Sequence, residues 1–232
     1  MSDLFHRKDP STRRLAAIDS VVVIGLGRFG RSLALELVAS GTEVLGIDCD
    51  GRLVQELSTE LTHCVQADST SEDALRQLGV QEFDRAVVAI GSHIEASLLT
   101  ASLLKTLGVG QVWAKAISEA HGRILEQLGI SHVVYPEHEM GRRVAHLVKG
   151  RMLDFIQFEP DYAMVKTLPP EGLLGIPLSE SRIRRQHGVT VVGVKKPDQA
   201  FTHATGETVL EEGDTIIISG VPRAVERYSE LR

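Results

Sequence analysis

A chain of 232 residues with 43% hydrophobic residues has enough apolar mass for one large domain or two small ones. Its formal net charge of −6, with Lys and Arg scattered, argues against nucleic acid as the main partner. The longest apolar stretches, 21–24 and 215–218, are far too short to span a bilayer, and Cys49 and Cys64 form neither a CxxC metal pair nor a disulfide framework; they read as reduced thiols of a cytoplasmic protein.

In chain order, the segment 1–19, MSDLFHRKDPSTRRLAAID, is polar, lacks a signal-peptide core and reads as a flexible lead-in. Short Val- and Ile-rich runs then alternate with helix-type segments. Strands are predicted at 21–24, 43–47, 63–67, 85–90, 111–116 and 132–135, and helices at 31–40, 51–59, 71–78, 95–107 and 119–128. Gly41, Gly79, Gly108 and Gly129 follow four of these helices as C-terminal punctuation. The alternation predicts a Rossmann-like α/β fold, a doubly wound parallel sheet, over 20–136. Residues 137–153 read as a longer crossover or hinge helix, with Val144, Leu147 and Val148 as an apolar stripe. Residues 154–232 turn β-rich with Pro and Gly turns. With helical pieces in PLSESRIRRQHG and PRAVERYSEL, they read as a small α+β domain.

The segment VVVIGLGRFGRSLALELVASGTEVLGID carries the first chemistry. Gly25, Gly27 and Gly30 form G-x-G-x-x-G directly after a strand and before a helix. The first glycine permits the tight turn, the second lets backbone approach a phosphate, and the third lets helix pack on strand. The helix N-terminus then offers N–H groups to an anion. Asp48, eighteen positions after Gly30, ends the next strand and suits ribose hydroxyls while repelling a 2′-phosphate. These features favour NAD or an adenosine nucleotide over NADP, against the plainer reading of a turn that only packs. Arg28, inside the turn, offers a permanent charge and several donors to a terminal phosphate, or is a surface arginine paired to an acid.

No catalytic constellation accompanies this site. His138-Glu139 lacks the second histidine of HExxH, Ser92 and His93 are merely adjacent, and the C-terminal part holds no reactive cluster. The sequence therefore points to a sensor and away from an enzyme.

The segments VIGLGRFG, VLGID, ADST, VVAIG, ASLLTASLLKTLGV, VWAKA, H…LEQLGISHVVYPE and EMGRRVA, followed by IRRQHGVTVVGVKK and LEEGDTIIISG, stand in an order and spacing that resembles the RCK (regulator of K+ conductance) domain. The match is to the KtrA/TrkA group of bacterial potassium-uptake gating subunits, from residue 20 onward. The resemblance implies an RCK N-lobe followed by a smaller C-lobe, the TrkA-N and TrkA-C pattern. It also implies a cytoplasmic, peripherally membrane-associated gating subunit whose ATP/ADP binding switches a ring to control K+ flux. Implied partners are a KtrB/TrkH-like integral-membrane K+-translocating subunit and further copies of the chain, as homodimers assembling to an octameric ring.

By the same resemblance, Arg28 beside Phe29 contacts phosphates, and Asp48, with Cys49 and Asp50, holds the ribose. Asp68 and Ser69 line the adenine, although Asp68-Ser69-Thr70 departs mildly from the family turn. Ile90, Gly91 and Ser92 lie against the nucleotide. Lys115, with Ala116 and Ile117 beyond it, and His121 match positions near the ligand. Glu137 matches a glutamate that helps bind Mg2+ or another divalent cation between subunits. In relatives the C-lobe can bind cyclic di-AMP, which points to Arg184, His187 and Val189. Plainer alternatives stand beside these roles: Lys115 as a solvated edge-strand lysine, His121 as an exposed helix residue, Glu137 as a helix N-terminal acid, and Asp68 as a loop cap. The rival functions are an NAD(H)-sensing RCK regulator, an RCK-like regulator of another membrane protein, and an NAD-dependent oxidoreductase.

Overall fold

In the computed structural model the described residues are 20–149 and 151–231, and the expected lead-in, 1–19, lies outside them. The chain forms two compact units that divide between Glu137 and His138.

The first unit is a six-stranded sheet of β1 (Ser20–Ile24), β2 (Glu43–Asp48), β3 (His63–Gln66), β4 (Arg85–Val88), β5 (Gln111–Lys115) and β6 (His132–Val134), in the order β3-β2-β1-β4-β5-β6. Every pairing is parallel. Parallel strands need crossovers, supplied here by α1 (Arg28–Ala39), α2 (Gly51–Leu57), α3 (Glu72–Gln77), α4 (Ile94–Thr106) and α5 (Glu119–Gln127). The apolar residues of β1 show why both faces are covered. Val21 and Val23 pack with Ala34 of α1 and Leu57 of α2, while Val22 and Ile24 pack with Ala101 and Leu104 of α4 and Leu125 of α5. Successive strand side chains point to opposite faces, so a continuous Val/Ile run requires helices on both. The order reverses between β1 and β4, which opens a crevice at the carboxyl ends of these strands.

A long helix, α6 (Pro136–Lys149), follows β6. The expected helix to 153 stops short, because the Leu153 N–H donates to the Lys166 carbonyl at 2.7 Å and so joins the next sheet's pairing. The second unit contains β7 (Asp154–Glu159), β8 (Tyr162–Thr167), α7 (Ile183–His187), β9 (Val189–Lys195), β10 (Thr202–His203), β11 (Thr215–Gly220) and α8 (Pro222–Ser229). Its five strands pair antiparallel in the order β10-β9-β11-β8-β7. Phe155, Val165, Val191, Ile216 and Ile218 pack with Ile183 of α7 and with Val225 and Tyr228 of α8. The helical piece expected in PLSESRIRRQHG shrinks to α7, because the backbone before it pairs elsewhere: Leu178 N–H donates to Thr208 and Ser179 N–H to Gly206. On α6, Leu147 packs against this core, whereas Val144 and Val148 are exposed.

Candidate functional site

The crevice holds a cleft of about 710 Å³. Its floor is the glycine turn. Gly25 has φ +93°, a left-handed conformation that favours glycine, and a Cβ there would press on the backbone of Ala89 and Ile90 at 3.0 Å. A Cβ on Gly30 would overlap the Gly25 carbonyl oxygen, so this glycine lets helix meet turn. A Cβ on Gly27, by contrast, would meet nothing within 4 Å among the described residues; that space opens into the cleft. Helix α1 begins at Arg28, earlier than the sequence pattern implied, with Gly27 as N-cap and no side-chain cap or first-turn acid. Its first N–H groups and positive dipole end are thus left for an anion, with the exposed Arg28 beside them.

Asp48, at the end of β2, ties this turn to the sheet. Its Oδ2 accepts the Leu26 N–H at 2.6 Å and its Oδ1 accepts the Asp50 N–H at 2.8 Å. A carboxylate has about four acceptor sites, so each oxygen retains capacity for a hydroxyl donor. Asp50 caps α2 through the Arg52 N–H at 2.9 Å and pairs with the Arg52 guanidinium at 2.9 Å, which holds its carboxyl below the usual range. Asp68 accepts both the N–H and the hydroxyl of Thr70, with the same consequence, so the loop-cap reading holds for this residue while it also lines the cleft. The Ser69 hydroxyl is buried against Thr100 Oγ1 at 2.8 Å, and the residue also lines the cleft.

The opposite rim is basic. Lys115 is only 8% exposed, so it is no solvated edge lysine. Its Nζ reaches Glu137 Oε1 at 2.5 Å and lies 5.7 Å from the Phe29 ring centroid. The Lys115 hydrogen bond, with a lesser pull from Arg28, holds the Glu137 carboxyl below its ordinary range. Glu137 stands in the first turn of α6 with its side chain 66% exposed, so its outer oxygen remains accessible.

The cleft therefore brings together Gly25, Gly27, Arg28, Phe29, Asp48, Cys49, Asp50, Asp68, Ser69, Ile90, Gly91, Ser92, Lys115, Ile117 and Glu137. Three expected site residues do not line it. Gly30 packs under the turn, Ala116 is buried in the sheet, and His121 is buried behind the rim at 2% exposure, neither a wall residue nor an exposed one. Ile24, Ile47, Leu53, Ala89, His93 and Ala96 line it without having been singled out. Ala89 and His93 sit just beyond β4, where the strand-order reversal was the available signal.

In the second unit a smaller cleft of about 460 Å³ is lined by Arg182, Arg184, Arg185, Ser179 and Thr190 among others. Arg184 Nε donates to Thr190 Oγ1 at 3.0 Å. His187 instead packs edge-on against Tyr228, and Val189 is fully buried; neither lines this cleft. Among the described residues, no group of three metal-ligating side chains converges and no helix is long and apolar enough to cross a membrane.

Comparison with known proteins matches a TrkA-N domain over residues 21–136 and a TrkA-C domain over residues 163–231. The chain is 34% identical to Ktr system potassium uptake protein C of Bacillus subtilis, covering 90% of this chain and 95% of that protein. It is 34% identical to Ktr system potassium uptake protein A of Vibrio alginolyticus, over 85% and 90% of the two chains. Its fold resembles the GsuK RCK domain (TM-score 0.65, 17% identity, 91% of this chain), although it spans only 47% of that chain's length. The first unit also resembles the NAD(P)-binding domain of an exopolyphosphatase-related protein from Archaeoglobus fulgidus (TM-score 0.50, 25% identity, 56% of this chain and 96% of that one). From these matches, the chain belongs to the TrkA-N/TrkA-C family, whose members include the Ktr system potassium uptake proteins.

Proposed function

We propose that the chain is the cytoplasmic gating subunit of a potassium transporter and that ATP and ADP, bound in the first unit, set its conformation. One observation carries this reading: an open helix N-terminus, a strand-end acid and two cations face a single cleft. Asp48 takes the ribose, the α1 N-terminus takes the first phosphates, and Arg28 and Lys115 take the distal ones. Asp68, Ser69 and Ile90–Ser92 flank the base and sugar.

A diphosphate and a triphosphate differ at the distal end alone, so only Arg28 and the basic rim can tell them apart. A charge-assisted contact worth about 1.5–3 kcal/mol, made in one conformation only, shifts a two-state ratio roughly ten- to hundredfold. Lys115 is the pivot in this reading, because a γ-phosphate competes with Glu137 for its ammonium. Glu137, once released, presents its carboxylate outward. A divalent cation there draws on that single carboxylate, on phosphate oxygens and on a second copy of the chain. It would offset the phosphate charge. Homodimers closing into an octameric ring, docked on an integral-membrane K+-translocating subunit, convert the difference at each cleft into a change of ring shape.

The arginine-lined cleft of the second unit suits a second anionic ligand, for which cyclic di-AMP is the candidate. An NAD(H)-sensing version of the same regulator is the alternative, favoured by Asp48 and by the likeness to an NAD(P)-binding domain. The test is K+ flux through the reconstituted transporter, with small-angle scattering of the free protein, in ATP and in ADP. ATP is expected to favour opening and ADP closing, and equal effects on shape and flux contradict the proposal.

A further inference from the structure

We infer that His121 is a positioning residue that holds the cleft's basic rim from behind, through the backbone of Ile117, and touches no nucleotide. The inference rests on the nucleotide reading of the cleft. It starts from a buried polar side chain that a regular core would replace. His121 is 2% exposed, outside the cleft lining, and among the described residues its Nε2 has no hydrogen-bond partner. An apolar residue would avoid the cost of that unpartnered nitrogen. What the imidazole supplies is its other nitrogen, since Nδ1 accepts the Ile117 N–H at 3.4 Å. That contact fixes the tautomer with the proton on Nε2, and burial lowers the histidine's pKa so that the neutral ring persists.

The contact closes a reciprocal loop. Ser118 caps α5 by accepting the His121 N–H at 3.2 Å, while the His121 side chain reaches back to the residue before the cap. This is a capping box shifted by one residue, with imidazole in place of a Glu or Gln side chain. Ile117, so held, lines the cleft two residues beyond Lys115. The next residue, Gly122, lies so close to Tyr135 that a Cβ would overlap the phenol oxygen, and Tyr135 leads directly into Pro136 and Glu137. The first turn of α5 thus fixes both approaches to the Lys115–Glu137 pair.

The experiment compares the full-length wild type with His121→Asn, His121→Gln and His121→Leu. It uses ATP and ADP titration, amide exchange at Ile117, and ¹⁵N chemical shifts of the ring. Asparagine keeps an acceptor near the Nδ1 position, whereas glutamine moves it outward. The wild type is expected to show a pyridine-type Nδ1 and a protected Ile117 amide. His121→Asn should keep both protection and affinity, while His121→Gln and His121→Leu lose protection and bind ATP roughly two- to tenfold more weakly. Should His121→Leu fail to fold, the asparagine–glutamine pair decides alone. Equal ATP affinity across the folded variants overturns the inference and leaves the nucleotide reading intact. A wild type that binds neither nucleotide overturns both.

Discussion

The two rims of the cleft are built differently. On the β1–β2 side, position is set by backbone: Gly25 at positive φ, Gly30 against the Gly25 carbonyl, and Asp48 bound to the Leu26 and Asp50 amides. On the β5–α6 side, position is set by side chains: Lys115 on Glu137, Lys115 near Phe29, and His121 on Ile117. Backbone geometry has one low-energy arrangement, whereas an ion pair of which one partner is 66% exposed can exchange partners. On the proposed function, the rigid rim takes the nucleoside, while the adjustable one, together with Arg28, discriminates phosphate number.

The largest expected effect comes from breaking the rigid rim. Gly30→Ala places a methyl group into the Gly25 carbonyl. Denaturant unfolding should show a loss of about 1–3 kcal/mol or more, with nucleotide binding abolished in whatever folds. Full stability and full binding in this variant would contradict the rigid-rim account. On the adjustable rim, Lys115→Met keeps the buried stem and removes the charge. Calorimetry should show ATP affinity reduced about tenfold or more and ADP affinity reduced less, since the lost contact is a charge-assisted one. Glu137→Gln should fold normally and lose the dependence of ATP binding on magnesium. An unchanged magnesium dependence would remove Glu137 from the cation's site.

A smaller effect follows from pH. The buried His121 takes up a proton less readily in the folded chain than in the unfolded one. As pH falls through the ordinary imidazole range, only the unfolded chain gains that proton, so stability falls with it. Urea titrations between pH 7 and mildly acid conditions should show this slope in the wild type and a weaker one in His121→Asn. Glu137, Asp50 and Asp68 are held below the carboxylate range, so their contributions are lost only at more acid pH.

The sheet of the first unit was legible because Val- and Ile-rich strands buried on both faces leave an unambiguous signal, and the order of motifs then indicated the family. Element ends were less legible. Gly30 reads locally as loop, yet α1 runs through it because the missing side chain is what lets the helix approach the turn. Leu153 reads as helix, yet it is drawn into strand pairing with Lys166. Apart from His93, the cleft's polar residues were named from motifs, whereas Ala89, Ala96 and Leu53 line it through tertiary placement alone. For His121 the sequence pointed to the right neighbourhood and the wrong side of the wall, since neither spacing nor residue type says which way a ring faces.

The most direct test of the account is calorimetric titration of the wild type and Arg28→Ala with ATP, ADP, NADH and NAD, with and without magnesium. ATP and ADP should bind the wild type more tightly than the dinucleotides, and Arg28→Ala should lose affinity for ATP selectively. Tight NADH binding that is indifferent to Arg28 would contradict the proposal and turn the cleft into an ordinary dinucleotide site.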